Sequence, residues 1–386
     1  MAGTTLLREE YNVSDAAWQP GTAAFRLVER EPAELAAPES LARWDALACW
    51  ASTPNPFYES WYLRPSLETL DPGGRVTLLC LEADGLLAGL LPIRRERSYY
   101  GYPFPHLRNW AHANCFLGAP LVARGCEAEF WRALLGWADR NAGGAMFLHL
   151  AHMPLDGELR GALREVLAWE GREAALVHRE DRALLETSLA PGAYLESALK
   201  PKRRSELARK RRRLAELGEL TIARQTDSGG LEEWSSRFLE LERSGWKGRA
   251  GSALACGKAT DTLFRQALGG ATERGRLERL QLSLDGRPVA MMSTFLTPPG
   301  AFGFKTAFDE EFARFSPGAL LQLEALALLD RGDILWCDSC AAADHPMIDH
   351  FWRERRAIGR ISIAIGGPLR RAGFAAIVRA EKGAPL

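Results

Sequence analysis

Apolar and polar positions along this chain repeat with two periods, and the places where the period changes locate its elements. Phe25 to Val28 and Arg75 to Glu82 read as strands, and Asp84-Gly85 turns the second into Leu86 to Ile93, a predicted hairpin. Leu41 to Ala51, Cys126 to Arg140 and Glu158 to Glu170 carry helical spacing, and Met146 to Leu150 is a short buried strand. Glu173 to His178 and Arg182 to Ser188 are two further strands. The Gly- and Pro-rich run from Tyr99 to Leu121 is a long loop of the kind that often serves function.

Leu189-Ala190-Pro191-Gly192 is the clearest punctuation mid-chain, and it divides the sequence into domains 1–189 and 190–386. A basic helix follows, then a strand at Leu220 to Arg224 and a helix at Leu231 to Arg243. Ser244 to Lys258 is a Gly-rich loop, and Asp261 to Arg274 is helical. Leu277 to Leu284, Pro288 to Leu296 (after an Asp285-Gly286 turn) and Ala301 to Thr306 are strands. A helix begins near Ser316, Ile334 to Cys337 is a strand, and Ile348 to Arg353 is helical. The class is mixed α/β, with antiparallel hairpins feeding one marked strand-to-helix step.

Composition narrows the picture. The 386 residues are 47% hydrophobic, enough for full cores, and the formal net charge is zero, so nothing global recruits nucleic acid or anionic lipid. The seven scattered cysteines form no disulfide framework and fit a reducing cytoplasm. No signal peptide is visible, and no run of about 18 apolar residues occurs.

The step into the Ser316 helix is the most informative segment. Ser316 is a good N-cap residue, Pro317 suits the first helical position, and Leu320 and Leu321 open the apolar face. Free N–H groups at such a start form an anion site, and Gly318 leaves room for a bulky anion. An ordinary capped helix accounts for the same residues.

The ordered motifs LDGRPVAMMSTF, AFGFKTAFDEEFARFSPGALLQLEAL and ILWCDSCAAADHPMIDHFW resemble the second domain of the Gcn5-related acyltransferases (the GNAT superfamily). Within it they are most similar to the cellulose-biosynthesis-accessory group, related to the Fem peptidoglycan aminoacyltransferases. ELERSGWKGRAGSAL is similar to that group's Glu…Gly-Trp-Lys-Gly segment, PNPFYESWYLRPSLETL to its early Asn-x-Phe helix, and LLAGLLPIRRER to its hairpin. The resemblance implies two tandem GNAT-type domains packed across a cleft, with acyl-CoA bound mainly by the second. Its usual pyrophosphate loop, Arg/Gln-x-x-Gly-x-Gly/Ala, falls on Arg314, Phe315, Ser316, Pro317, Gly318, Ala319 and Leu320, where Ser316 and Pro317 replace one glycine.

Acyl transfer to an amine needs a neutral acceptor, a stabilised oxyanion and a proton for the leaving group. His345, after the acidic strand end, is the candidate for proton transfer; Asp338 either orients it, binds the acceptor's ammonium form or is merely solvated. Lys305, among Phe302, Phe304 and Phe308, meets an anionic substrate group or the oxyanion, or snorkels from a sheet edge. Trp246 and Lys247 close over substrate or anchor their loop, and Asp344 is a further substrate contact. Cys337, Cys340, His345 and His350 have a spacing close to a zinc knuckle, but no glycine stands where a knuckle turns tightly, and no metal is expected. Lys200 to Arg213 holds nine basic residues against Glu206 alone, a solvated face or a polyanion site without the aromatics that stack on bases. The basic, amphipathic Leu369 to Arg379 segment adds a second patch.

These features lead to an expected CoA-dependent N-acyltransferase, cytoplasmic and in peripheral contact with the anionic inner membrane face. Its expected acceptor is a lipid-like long-chain amino alcohol, as in bacterial ceramide synthesis, with Tyr99, Tyr100, Tyr102 and Phe104 near the lipid. The alternatives are an amino sugar of polysaccharide synthesis, a Fem-like transferase that takes its donor from aminoacyl-tRNA, and a non-catalytic zinc-stabilised regulatory module.

Overall fold

The computed structural model describes residues 24–345 and 347–381, with the backbone alone at 384–385. Two compact units emerge. One holds the described residues up to Glu180 together with those from Ala357 onward; the other is Asp181–Arg356. The division thus precedes the Leu189 to Gly192 punctuation, and the last segment returns to the first unit. Local turn signals could not reveal this, because the two strands that cross the division are continuous.

The first unit opens with β1 (Arg26–Arg30), α1 (Pro38–Trp50) and α2 (Ser60–Leu70). β2 (Val76–Ala83) and β3 (Leu86–Glu96) form the predicted hairpin, with Asp84 and Gly85 at φ of 49° and 77°, the left-handed pair a two-residue turn requires. β4 (His106–Asn109) lies inside the expected long loop and pairs antiparallel with β3. Four residues are too few to display alternation, so pairing alone reveals it. β5 (Leu121–Val122) also pairs with β3, and α3 (Glu127–Asn141) then crosses to β6 (Phe147–Pro154), which runs parallel to β4. α3 buries Phe130, Trp131, Leu134 and Leu135 on one face. α4 (Gly157–Trp169) leads into β7 (Ala174–Glu186), a single strand where two are predicted, because the polar run at Arg179 to Asp181 masks its continuity.

In the second unit the part of β7 from Asp181 is followed by α5 (Pro191–Ala198), the basic α6 (Pro201–Ala215), β8 (Leu220–Gln225), α7 (Leu231–Ser244), the one-turn α8 (Trp246–Arg249) and α9 (Lys258–Glu273). β9 (Leu277–Leu284), β10 (Arg287–Thr297), β11 (Gly300–Phe308), α10 (Pro317–Ala325) and β12 (Trp336–Asp338) complete it. Its strands lie in the order β7-β12-β11-β10-β9-β8, antiparallel except for the β11–β12 pair. Leu207 and Leu214 of α6 and Leu320 and Leu321 of α10 share one core, which leaves the cations of α6 on its outer faces.

The predicted helix at Ile348 to Arg353 is only a three-residue 3₁₀ turn, Ile348–His350, and the strand β13 (Glu354–Ala364) follows it. From Ile358, β13 pairs antiparallel with β6, and a bulge between Gly359 and Ile361 breaks the period-two pattern that would have marked the strand. α11 (Pro368–Glu381) turns Phe374 fully inward, while Arg370 and Arg371 donate to the Gly143 and Gly366 carbonyls. Among the described residues no helix is long and apolar enough to cross a membrane.

Candidate functional site

β11 and β12 share only three register pairs, from Gly300↔Trp336 to Phe302↔Asp338. At Gly303 the Ser339 carbonyl comes so near that a Cβ would lie 2.9 Å from it, so only glycine fits. Beyond it, β11 bulges at Phe304 against β10 and runs on to Phe308, and among the described residues no strand pairs this stretch on the side away from β10. The parallel pair therefore opens just where Lys305 sits.

α10 starts beyond this opening. Ser316 is in the left-handed region, at φ of 55°, and its hydroxyl does not cap the helix; instead it accepts a 2.8 Å hydrogen bond from Lys210 Nζ of α6. The first turn offers fewer donors than its sequence predicts. Pro317 has no N–H, and the Ala319 and Leu320 N–H groups both bond the Ser316 carbonyl, at 2.9 and 3.1 Å, which leaves Gly318. The room expected at Gly318 is taken up by Met347, whose Sδ is 3.3 Å from the position of a Cβ there. Arg314 is exposed with its guanidinium over the Phe315 ring, and Phe315, Pro317, Ala319 and Leu320 are buried. The basic helix thus brings a lysine to the helix start, a juxtaposition across 106 residues.

Lys305 is pushed down to about 8, chiefly by burial and then by the charge of Lys247. Lys247 in turn bonds Glu242 Oε1 at 2.8 Å, and the second oxygen of this buried carboxylate accepts the Leu254 N–H at 2.8 Å. Glu242 therefore fixes both ends of the Gly-rich loop, a role hidden from sequence because the turn at Gly245 is what folds the lysine back. Trp246 is 56% exposed; its backbone N–H donates to Glu310 and its carbonyl accepts the Ala250 N–H.

His345 is half-buried, and its Nδ1 accepts the N–H groups of Met347 and Ile348, each at 3.4 Å. The neutral ring then carries its proton on Nε2. Burial holds its pKa below the ordinary histidine value, against the opposing pull of Asp349. Asp338 lies elsewhere: it is fully buried, with Oδ2 accepting from Arg182 at 2.6 Å and Arg356 at 3.0 Å, and Oδ1 from the Cys340 N–H. Burial alone would raise its carboxyl, but the two guanidinia hold it below the usual range. Among the described residues no hydrogen bond joins Asp338 to His345, so the expected orienting role has no contact behind it. Arg182 and Arg356 escape sequence reasoning because each is distant in the chain and lies in a run of charges. Asp344 is exposed, at φ of 58°. Cys337 is buried, and among the described residues no group of three His, Cys, Asp or Glu side chains converges as metal ligands.

Residues 201–345 match the family described as Acetyltransferase (GNAT) domain. No curated protein matches the chain in sequence. Among solved structures it is similar to FemX (13% identity, TM-score 0.53, covering 90% of this chain and 99% of that one). It is also similar to the C-terminal domain of a putative lysylphosphatidylglycerol synthetase from Agrobacterium fabrum (13%, 0.54, 88% and 96%). A third such structure is L-PGS from Bacillus licheniformis (13%, 0.52, 91% and 97%). At these identities the likeness is one of fold, and it spans nearly the whole chain. The chain is a mixed α/β protein whose residues 201–345, within the second unit, match the family described as Acetyltransferase (GNAT) domain.

Proposed function

We propose that the second unit transfers an acyl group from a phosphate-bearing donor to an amine. The observation that carries this reading is the opening between β11 and β12: an unpaired, bulged strand edge with a half-buried lysine at one end, and a helix start flanked by Lys210 at the other. An extended donor arm fits against the strand edge, with its phosphate near Lys210 and the Ser316 to Leu320 segment. The amine attacks the donor carbonyl, its proton passes through solvent to the leaving sulfur or oxygen, and the bond from carbon to that atom breaks. Lys305, as an ammonium, stabilises the oxyanion. His345, with Nδ1 engaged by backbone amides, presents Nε2–H to the leaving group rather than a lone pair to the amine. Lys247, paired with Glu242, anchors the loop from which the exposed Trp246 covers the donor's acyl end.

Two donors suit this arrangement. A Fem-like transfer from an aminoacyl ester of tRNA ranks first, because whole-chain fold neighbours include FemX and the C-terminal domain of a putative lysylphosphatidylglycerol synthetase, and because α6 is over-supplied with cations. Lys202, Arg209, Arg212 and Arg213 have no ionic partner among the described residues and lie on the outer side of α6, more charge than the few phosphates of CoA require. Acyl-CoA ranks second; the GNAT match and the Lys210–Ser316 contact suit it equally. A lipid-like amino alcohol has less support: Tyr99 is buried with its hydroxyl on Glu381, so only Tyr100 and Tyr102 of the loop aromatics are exposed.

The deciding experiment incubates the protein with charged tRNA or with mixed acyl-CoAs, plus lipid and sugar amines, and follows products by mass spectrometry. Transfer from tRNA alone establishes the first donor, and transfer from CoA esters alone the second. Turnover from neither source refutes the reading. Turnover is also expected to fall as pH rises through about 8, where Lys305 loses its charge.

A further inference from the structure

A second anion-sized feature lies in the first unit, within a single body and far along the chain from the residues above. Near the ends of β2 and β3 is a cleft of about 760 Å³. Arg75, Arg94, Arg95 and Arg97 line it, against the carboxylates of Glu29 and Glu96. Ile93, Leu107 and Trp137, all buried, form an apolar floor. Its size suits a small ligand, and its combination of apolar floor and convergent polar groups is that of a binding site rather than of a solvated face.

The charges do not cancel. Arg94 and Glu96 pair with each other, and Glu29 accepts the Trp137 indole N–H at 2.9 Å. Arg95 is held in place by neutral acceptors, the Ala142 and Asn141 carbonyls at the end of α3, so its position is fixed while its charge stays uncompensated. Arg75 is exposed and faces Asp71 Oδ1 at 3.6 Å, a long ion pair, while Oδ2 of that carboxylate takes the Val76 N–H. Arg97 is exposed and has no ionic partner among the described residues. Three guanidinia against Glu29 and Asp71 leave one positive charge in excess.

We infer that this cleft binds a phosphate monoester. Such a group carries nearly two negative charges at neutral pH and accepts paired guanidinium hydrogen bonds, and the apolar floor takes the organic part of the ligand. The site stands independently of the acyl-transfer reading. Its phosphate belongs either to a soluble ester or to a lipid headgroup, and the probes separate the two.

The test titrates glycerol 3-phosphate into the full-length protein by calorimetry, and in parallel measures co-sedimentation with phosphatidylcholine vesicles with and without phosphatidic acid. Binding of either probe should weaken about tenfold or more in Arg97→Gln, an exposed position where folding is not at stake. It should tighten in Glu29→Gln, which keeps an oxygen for Trp137 while removing the opposing charge. Lys210→Gln should leave it unchanged. Binding of the soluble ester assigns a soluble ligand, and binding of phosphatidic acid vesicles alone assigns a headgroup. No binding of either probe by the unsubstituted protein, or equal binding by Arg97→Gln, overturns the inference, as does loss of binding in Lys210→Gln.

Discussion

Both units contain a parallel strand–helix–strand crossover, β4–α3–β6 in the first and β11–α10–β12 in the second, yet the two are finished in opposite ways. In the first the junction is stitched shut. Asn109 is fully buried, its Oδ1 accepts the Ala151 N–H at 2.7 Å, and its Nδ2 donates to the Gly118 and Ala151 carbonyls, each at 2.9 Å. The Gly118 N–H bonds the His152 carbonyl, and a side chain at Gly118 would collide with Ala151. The crossing helix begins with Glu127 and Glu129, which repel an anion. In the second unit β11 outruns β12, a lysine lies at the opening and another reaches the helix start. One topology serves as scaffold in one place and as a candidate site in the other, and the difference lies in a few polar side chains. Fold alone would assign chemistry to both.

The contrast is sharpest in what holds each junction. Asp338→Ala strips two buried guanidinia of their partner and should cost about 3–5 kcal/mol in denaturant unfolding, the largest effect expected. Asn109→Ala leaves neutral backbone groups unpaired and should cost about 1–3 kcal/mol, with donor binding unchanged. If Asn109→Ala proves the costlier, the second junction is not held by its ion triad. Lys210→Gln should weaken donor binding about tenfold by calorimetry, with little loss of stability, since it removes a charge-assisted contact at a half-exposed position. Unaltered affinity would place the donor phosphate elsewhere.

The smallest effect is one of pH. His149 in the first unit is 1% exposed, and burial, with the charge of Arg108, holds its pKa well below the ordinary value; His106 is lowered the same way. A depressed pKa means that the unfolded chain binds more protons below about 6.5, so this stability is present above that pH and lost as pH falls toward the folded value. Melting temperature should therefore drop between pH 7 and 5, and His149→Gln should flatten that slope. A slope unchanged by the substitution would remove the histidine from the account.

Several of these features could be read in advance. Asp84-Gly85 and Asp285-Gly286 announce their hairpins because both turns need two left-handed residues, and the apolar face of α3 follows from its spacing. β4 was too short to show a period, and the bulge at Gly359 scrambled that of β13. At the site, the Ser316 step and Lys305 stood out as a helix signal and as a charge among aromatics. Glu242 did not, because its importance depends on a loop folding back upon it.

What the chain's residues determine alone is local: where backbone conformation, periodicity and capping chemistry act over a few neighbours, they place strands, turns and the start of α10. Which strands end early, which lysine meets Ser316, and whether Asp338 faces solvent or two arginines depend on contacts between residues up to 156 apart. Those contacts are won by burial and charge pairing in three dimensions, and no short-range pattern encodes them. The open junction of the second unit and the sealed one of the first are decided there.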